Sequence, residues 1–155
     1  MKVNEIMSQN VKTIGKDKTI LDVMKMMKKY DLGFIVIEEN KKALGVITDR
    51  DIILLLANEL SSSTNICKVM KKYIITVLDT DDVSTASDLM GQMQIKRLVV
   101  VNNKREIVGI LSVGDMAKNL LTEEYAFDAF VEISYDYSTI NLENDNLYQL
   151  SAFIF

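Results

Sequence analysis

The sequence predicts an α/β fold of the α+β kind. Two pseudo-symmetric β-α-β-β-α repeats pack sheet to sheet and are followed by a C-terminal helical and irregular extension. Three observations predict it. The heptad GVITDRD (45–51) returns as GILSVGD (109–115), both of the form G-h-x-[ST]-x-x-D. The lead-in VNEIM (3–7) returns as ICKVM (66–70), and VKTI (11–14) returns as IITV (74–77), at an offset of 63. Between lead-in and heptad, each copy carries a helical apolar period and then two β-branched runs.

The elements follow in order. A short helical lead-in and a brief extended piece open each copy. Ile20, Val23, Met27 and Tyr30 then recur at i, i+3, i+7 and i+10, as do Val83, Ala86, Met90 and Met93, and this spacing lines one face of a helix. Asp17 or Thr19 is positioned to cap the first of these helices, and Asp79 or Asp81 the second. Next, FIVIE (34–38) and LVVVN (98–102) precede polar turns and the strands LGVIT (44–48) and VGILS (108–112), which makes a hairpin. From Phe34 onward the offset between the copies reads as 64, which a one-residue insertion between helix and strand explains. A second helix is expected to start near Asp49 and near Val113. The repeats are assigned to residues 1–57 and 65–120, with the polar stretch NELSSST (58–64) as linker and 121–155 as extension. Neither copy alone buries both faces of its sheet, so the two are expected to pack about a pseudo-twofold axis, leaving two related clefts.

Composition narrows the chemistry. The chain has no histidine, which excludes imidazole bases, Ser-His-Asp triads and His-ligated zinc. One cysteine, Cys67, excludes an intramolecular disulfide and fits a reducing compartment. The opening MKVNEIMSQN lacks the apolar core of a signal peptide, and the apolar runs are too short to span a bilayer. The expectation is a cytoplasmic protein without a membrane partner, and not an enzyme. Up to Lys118 there are 18 basic and 15 acidic residues, a surplus of three positive charges; beyond it stand seven acids and no base. The acidic end argues against nucleic acid as a partner, while the mildly basic body suits an anion.

The heptads admit two readings. Thr48-x-x-Asp51 and Ser112-x-x-Asp115 have the spacing of a helix capping box, in which hydroxyl and acid satisfy free helix-end N–H groups. The same residues also suit a nucleoside. A carboxylate accepts hydrogen bonds from ribose hydroxyls, and a hydroxyl at a helix N-terminus lies where phosphate oxygens are favoured. Ile14 and Ile47 are placed to sandwich a flat base, with backbone amides of the extended segments at Thr13 and Ile14, and at Thr76 and Val77, reading its edge. The two copies differ: Arg97 precedes the third apolar strand, with Phe34 as its nearest counterpart in copy one, while Arg50 lies inside the first heptad and Gly114 inside the second. Arginine's fixed fork of donors suits phosphate, so the cleft with Ser112, Asp115 and Arg97 is favoured for a phosphorylated ligand.

The repeat resembles the cystathionine-β-synthase (CBS) domain, and the pair resembles the tandem module made of two such domains. The resemblance covers roughly residues 1–120 and rests on both heptads in the same context of lead-in, helix and hairpin. Ile35 and Val99 stand where the family often has proline, and Lys41 and Arg105 where it often has a turn glycine. The resemblance implies a regulatory module that requires no cofactor and binds an adenosine ligand: AMP, ADP, ATP or S-adenosylmethionine. The alternative is a ligand-independent dimerisation scaffold with vestigial clefts. It also implies a homodimer formed through helices.

Outside the heptads, Met24, Met26 and Met27 form a soft apolar surface whose default role is core packing, with Met26 and Leu21 candidates to face a partner subunit. The stretch from Thr122 holds eight of the eleven aromatics. Through about Ser134 it reads as an extension of the final helix, with Leu120, Phe127, Phe130 and Val131 toward one side. Residues 134–146 read as irregular and 147–155 as a short closing strand or helix. So many aromatics are expected to dock on the body or on a second subunit.

Overall fold

The computed structural model of the chain describes residues 1–135; residues 136–155, with the expected irregular segment and closing element, lie outside the described residues. The first copy contains α1 (Val3–Ile6), β1 (Thr13–Gly15), α2 (Ile20–Tyr30), β2 (Phe34–Glu39), β3 (Lys42–Thr48) and α3 (Asp49–Ala57). The second opens with a 3-10 turn (Ile66–Lys68) and continues with β4 (Thr76–Leu78), α4 (Val83–Gln92), β5 (Arg97–Val101), β6 (Ile107–Ser112) and α5 (Val113–Ala117); α6 (Glu123–Ser134) follows. Each copy makes a sheet with a parallel outer strand and an antiparallel hairpin, in the orders β1-β2-β3 and β4-β5-β6.

Three cores follow from the alternation along the strands. Ile35, Ile37 and Ile47 turn toward Ile20, Val23 and Met27 of α2. Leu98, Val100 and Leu111 turn likewise toward Val83, Ala86 and Met90 of α4. Val36, Val99 and Val101, with Val46 and Ile110, point the other way and form the layer where the two sheets meet. A strand buried on both faces has no polar side to show, which is why these strands read as continuous β-branched runs.

Each lead-in serves the other copy. Val3 is fully buried in the second core, its N–H donates to the Asp81 carbonyl, and Ser8 exchanges 2.9 Å backbone hydrogen bonds with Ile110 of β6. Ile66 is fully buried in the first core, and Lys71 exchanges 2.9 Å bonds with Val46 of β3. The linker also caps α2, since Ile20 and Leu21 donate to the carbonyls of Thr64 and Ser62. The units of sequence and of packing therefore differ by the swap of these segments.

The crossing explains the glycine that opens each heptad. A Cβ at Gly45 would lie 2.5 Å from the Met70 sulfur and 2.9 Å from the Lys71 carbonyl oxygen, and one at Gly109 would overlap the Met7 sulfur and stand 3.2 Å from the Ser8 carbonyl. The lead-in methionine and the heptad glycine are two halves of one contact.

Three sequence expectations need correction. The one-residue insertion lies in the hairpin, not between helix and strand: Phe34 pairs with Thr48 and Arg97 with Ser112, so the offset of 63 persists into β5. Copy one turns through Asn40 and Lys41, both at left-handed φ. Copy two uses one residue more, with Asn102 Oδ1 accepting from the Lys104 and Glu106 amides and Arg105 left-handed. Thr19 caps α2 as expected, but α4 begins after Asp82 without a side-chain cap, because the Asp81 carboxylate accepts from Leu78 N–H instead. α6 is not an extension of α5, which ends at Ala117. It is a separate helix that buries Ala126 and Ala129 and leaves Phe127, Phe130 and Val131 exposed. Met26 packs against the first core, whereas Leu21 is exposed.

Gly45→Ala should cost about 1–3 kcal/mol in urea unfolding, because the Lys71 carbonyl it meets at 2.9 Å is held in place by the Val46 amide. Gly109→Ala should cost less, since the backbone carbonyl it meets stands 3.2 Å away instead of 2.9 Å, beyond a flexible methionine end that both sites share. A neutral Gly45→Ala would contradict the crossing contact.

Candidate functional site

The polypeptide encloses an open cleft of about 200 Å³ at the junction of the copies. Its walls come from both repeats: Ser8, Val11 and Lys12 of the first lead-in, Gly33 and Phe34 at the start of β2, Arg97 at the start of β5, and Ile110, Ser112 and Asp115 of the second heptad. Register places Arg97 directly opposite Ser112, so a cation stands beside the helix start by construction. Val11, Val36 and Ile110 supply the apolar surface.

Both heptads form capping boxes. In copy one, Thr48 N–H and hydroxyl donate to Asp51 Oδ2 at 2.9 and 2.8 Å, and Asp51 N–H donates back to Thr48 Oγ1 at 3.2 Å. Ser112 and Asp115 repeat the pattern. Capping consumes the hydroxyl proton and one carboxylate oxygen, and leaves Oδ1 of each aspartate for something else.

What meets that oxygen separates the copies. Lys71 Nζ reaches Asp51 Oδ1 at 2.9 Å and closes the first site internally. Asp115 Oδ1 and the Arg97 guanidinium have no partner among the described residues, and both residues line the cleft. Burial pushes the Asp51 carboxyl up, but hydrogen bonds from Lys71 and from the Thr48 hydroxyl and amide outweigh it and hold the group below its usual value.

The structure gathers Ser112, Asp115 and Arg97 in one cleft, and it disperses the rest of the expected set. Thr48 and Asp51 belong to the other heptad. Ile14 and Ile47 are buried in the first core, and Val77 in the second, because these residues face their helices rather than the sheet-to-sheet layer. They do not flank the cleft. Thr13 donates to Glu38 Oε2 at 2.7 Å, Thr76 pairs with Val99 on β4, and Arg50 is exposed with its amide on Asp49 Oδ1. Sequence reasoning missed Val11, Lys12 and Phe34 as lining. Only the spacing from the lead-in to the first strand hinted at them, and the crossing that brings them to the second heptad leaves no local mark.

Fold and cleft together define a class: a tandem α+β repeat whose copies close face to face, with a cleft built by one copy's lead-in and the other's heptad. The family profile described as the CBS domain matches residues 3–58 and again 66–122, and the chain belongs to that family. The CBS domain-containing protein YhcV of Bacillus subtilis is 33% identical over 134 residues, 86% of this chain and 95% of its own length. The CBS domain protein PAE2072 of Pyrobaculum aerophilum, solved in complex with AMP, superposes with a TM-score of 0.75 at 27% identity, covering 82% of this chain and 98% of that one. The CBS domain pair of MJ0100, solved with 5-methylthioadenosine and S-adenosyl-L-methionine, superposes with a TM-score of 0.69 at 26% identity over 76% of this chain and 94% of that one. Among the described residues, no helix is long and apolar enough to cross a membrane.

The Lys71–Asp51 pair yields a pH prediction. A carboxyl held below its ordinary 3.8 contributes stability above that value and loses it as pH falls through the lower folded value. Asp51→Asn should therefore cost about 1 kcal/mol at pH 7, with the difference from the unsubstituted protein narrowing as pH falls below 3.8. Chemical denaturation across this range checks it, and a constant difference at every pH would contradict the pairing.

Proposed function

We propose that this chain is a non-catalytic sensor that binds an adenosine ligand (AMP, ADP, ATP or S-adenosylmethionine) in the cleft bearing Ser112, Asp115 and Arg97. The observation that carries the reading is that Asp115 Oδ1 and the Arg97 guanidinium, both without a partner among the described residues, belong to residues that line one cleft, on a helix start already fixed by its cap. In this reading Oδ2 keeps the cap while Oδ1 accepts from a ribose hydroxyl. Val11, Val36 and Ile110 contact the base, and Arg97 and Lys12 take the charged end of the ligand. Because the cleft is shared, a ligand that prefers one arrangement of the copies shifts their packing, and this shift is the signal. The chain works in the cytoplasm, without a metal or a resident cofactor. The relatives solved with AMP and with S-adenosylmethionine support this ligand class.

A ligand-independent scaffold is the second reading. It is favoured by one observation: Thr19 and Asp22 form the same capping box at α2, with no second heptad feature beside it. A hydroxyl–aspartate box is thus compatible with a purely structural role.

Titration separates the two. At ligand near 100 Kd, AMP, ATP or S-adenosylmethionine should stabilise the fold by about 2.7 kcal/mol and raise the melting point by several degrees. Asp115→Asn, which keeps an oxygen for the cap, should weaken binding at least tenfold, about 1.4 kcal/mol. Asp51→Asn should change affinity less than about twofold, because Lys71 already occupies that carboxylate. No shift with any adenosine compound at millimolar concentration would leave the scaffold.

A further inference from the structure

We infer that the two hairpin turns, between β2 and β3 and between β5 and β6, form a binding site for a compact polyphosphate anion, separate from the cleft at Asp115. The turns lie side by side because the sheets pack face to face, and Ile107 N–H donates to the Lys41 carbonyl at 2.8 Å. Together they carry Lys41, Lys42, Lys104 and Arg105, all exposed, and none of the four forms an ion pair among the described residues. The acids nearby are already engaged. Glu39 pairs with Lys16 at 2.6 Å, and Glu38 accepts from the Thr13 hydroxyl and the Lys41 N–H. Glu106 accepts from Asn102 at 2.9 Å. That bond, with the charges of Lys41, Lys104 and Lys42, holds the Glu106 carboxyl below its usual value, so cations of both turns act on one point.

The backbone of the turns is a second observation. Lys41 and Arg105 hold φ of 65° and 61°, the left-handed region where glycine is free of strain and a residue with a Cβ is not. Each turn thus keeps a cation against its local preference. Beside the turns opens a cavity of about 180 Å³ whose lining includes Gln9, Thr13, Lys41 and Ile107. Only Val11 borders both this cavity and the cleft at Asp115. The Gln9 amide and the Lys41 ammonium have no partner among the described residues. A polyphosphate fits this arrangement because its charges are gathered on a few atoms, as the four cations are gathered in two adjacent turns. An acidic peptide or a nucleic-acid backbone spreads its charges along a strand. Lysine and the arginine fork are donors suited to phosphate oxygens.

Titration calorimetry of the full chain with inorganic tripolyphosphate, at about 150 mM chloride to screen diffuse attraction, tests the site. One anion should bind per chain. K41G/R105G removes two charges and puts glycine at both left-handed positions, so its melting temperature should not fall. Its affinity for tripolyphosphate should drop at least about tenfold. K42Q/K104Q, which leaves both left-handed residues in place, should weaken binding about tenfold as well. Absence of binding at millimolar tripolyphosphate overturns the inference, as does unchanged affinity in both double variants. Loss of binding in Arg97→Ala instead would put the anion in the cleft at Asp115 and also overturn it. Equal affinity for hexaglutamate would make the surface one for acidic peptides and reject the polyphosphate.

Discussion

The crossing of the lead-ins holds the rest of the structure in place. Val3 and Ile66 each fill the core of the copy they do not belong to, and Ser8 and Lys71 each add a backbone bridge to the other copy's third strand. Removing either segment would open one core and unpair one sheet edge at once. A repeat of this size is marginal by itself, and the exchange lets each copy complete the core of the other. It also sets the glycines of the heptads and, through Ser8 and the residues after it, builds one wall of the cleft.

Capping and ligand recognition are usually weighed as alternatives for a hydroxyl–aspartate pair, but here a carboxylate has two oxygens and the helix start takes only one. The cap holds Asp115 by Oδ2 in a residue that lines the cleft, so the structural role is compatible with the proposed functional one. The same geometry in copy one has been turned inward, because Lys71 follows the crossing segment and lands on Asp51. Duplication followed by one local ion pair is enough to make two related sites unequal.

Local signals made much of this visible in the chain itself. Helix starts at Asp49 and Val113, the Thr19 cap and the adjacency of Arg97 to Ser112 follow from spacing and register. The exchange of lead-ins does not, since a backbone bridge at Ser8 or Lys71 leaves no pattern in either segment. The facing of Ile14 and Ile47 was equally hidden. A strand apolar on both sides, such as Val46–Ile47, carries no polar alternation to tell the helix side from the sheet side. In α6 the aromatics drew the eye, yet the docked face is the one with alanines, because only small residues let the helix sit close on Ser87 and Gly91.

The central claim is that the two clefts of this CBS pair are unequal and that only the one at Asp115 takes a ligand. Isothermal titration of the full chain with AMP and with S-adenosylmethionine measures this directly. The account predicts one adenosine ligand bound per chain. Two per chain, or none with either compound, would contradict it.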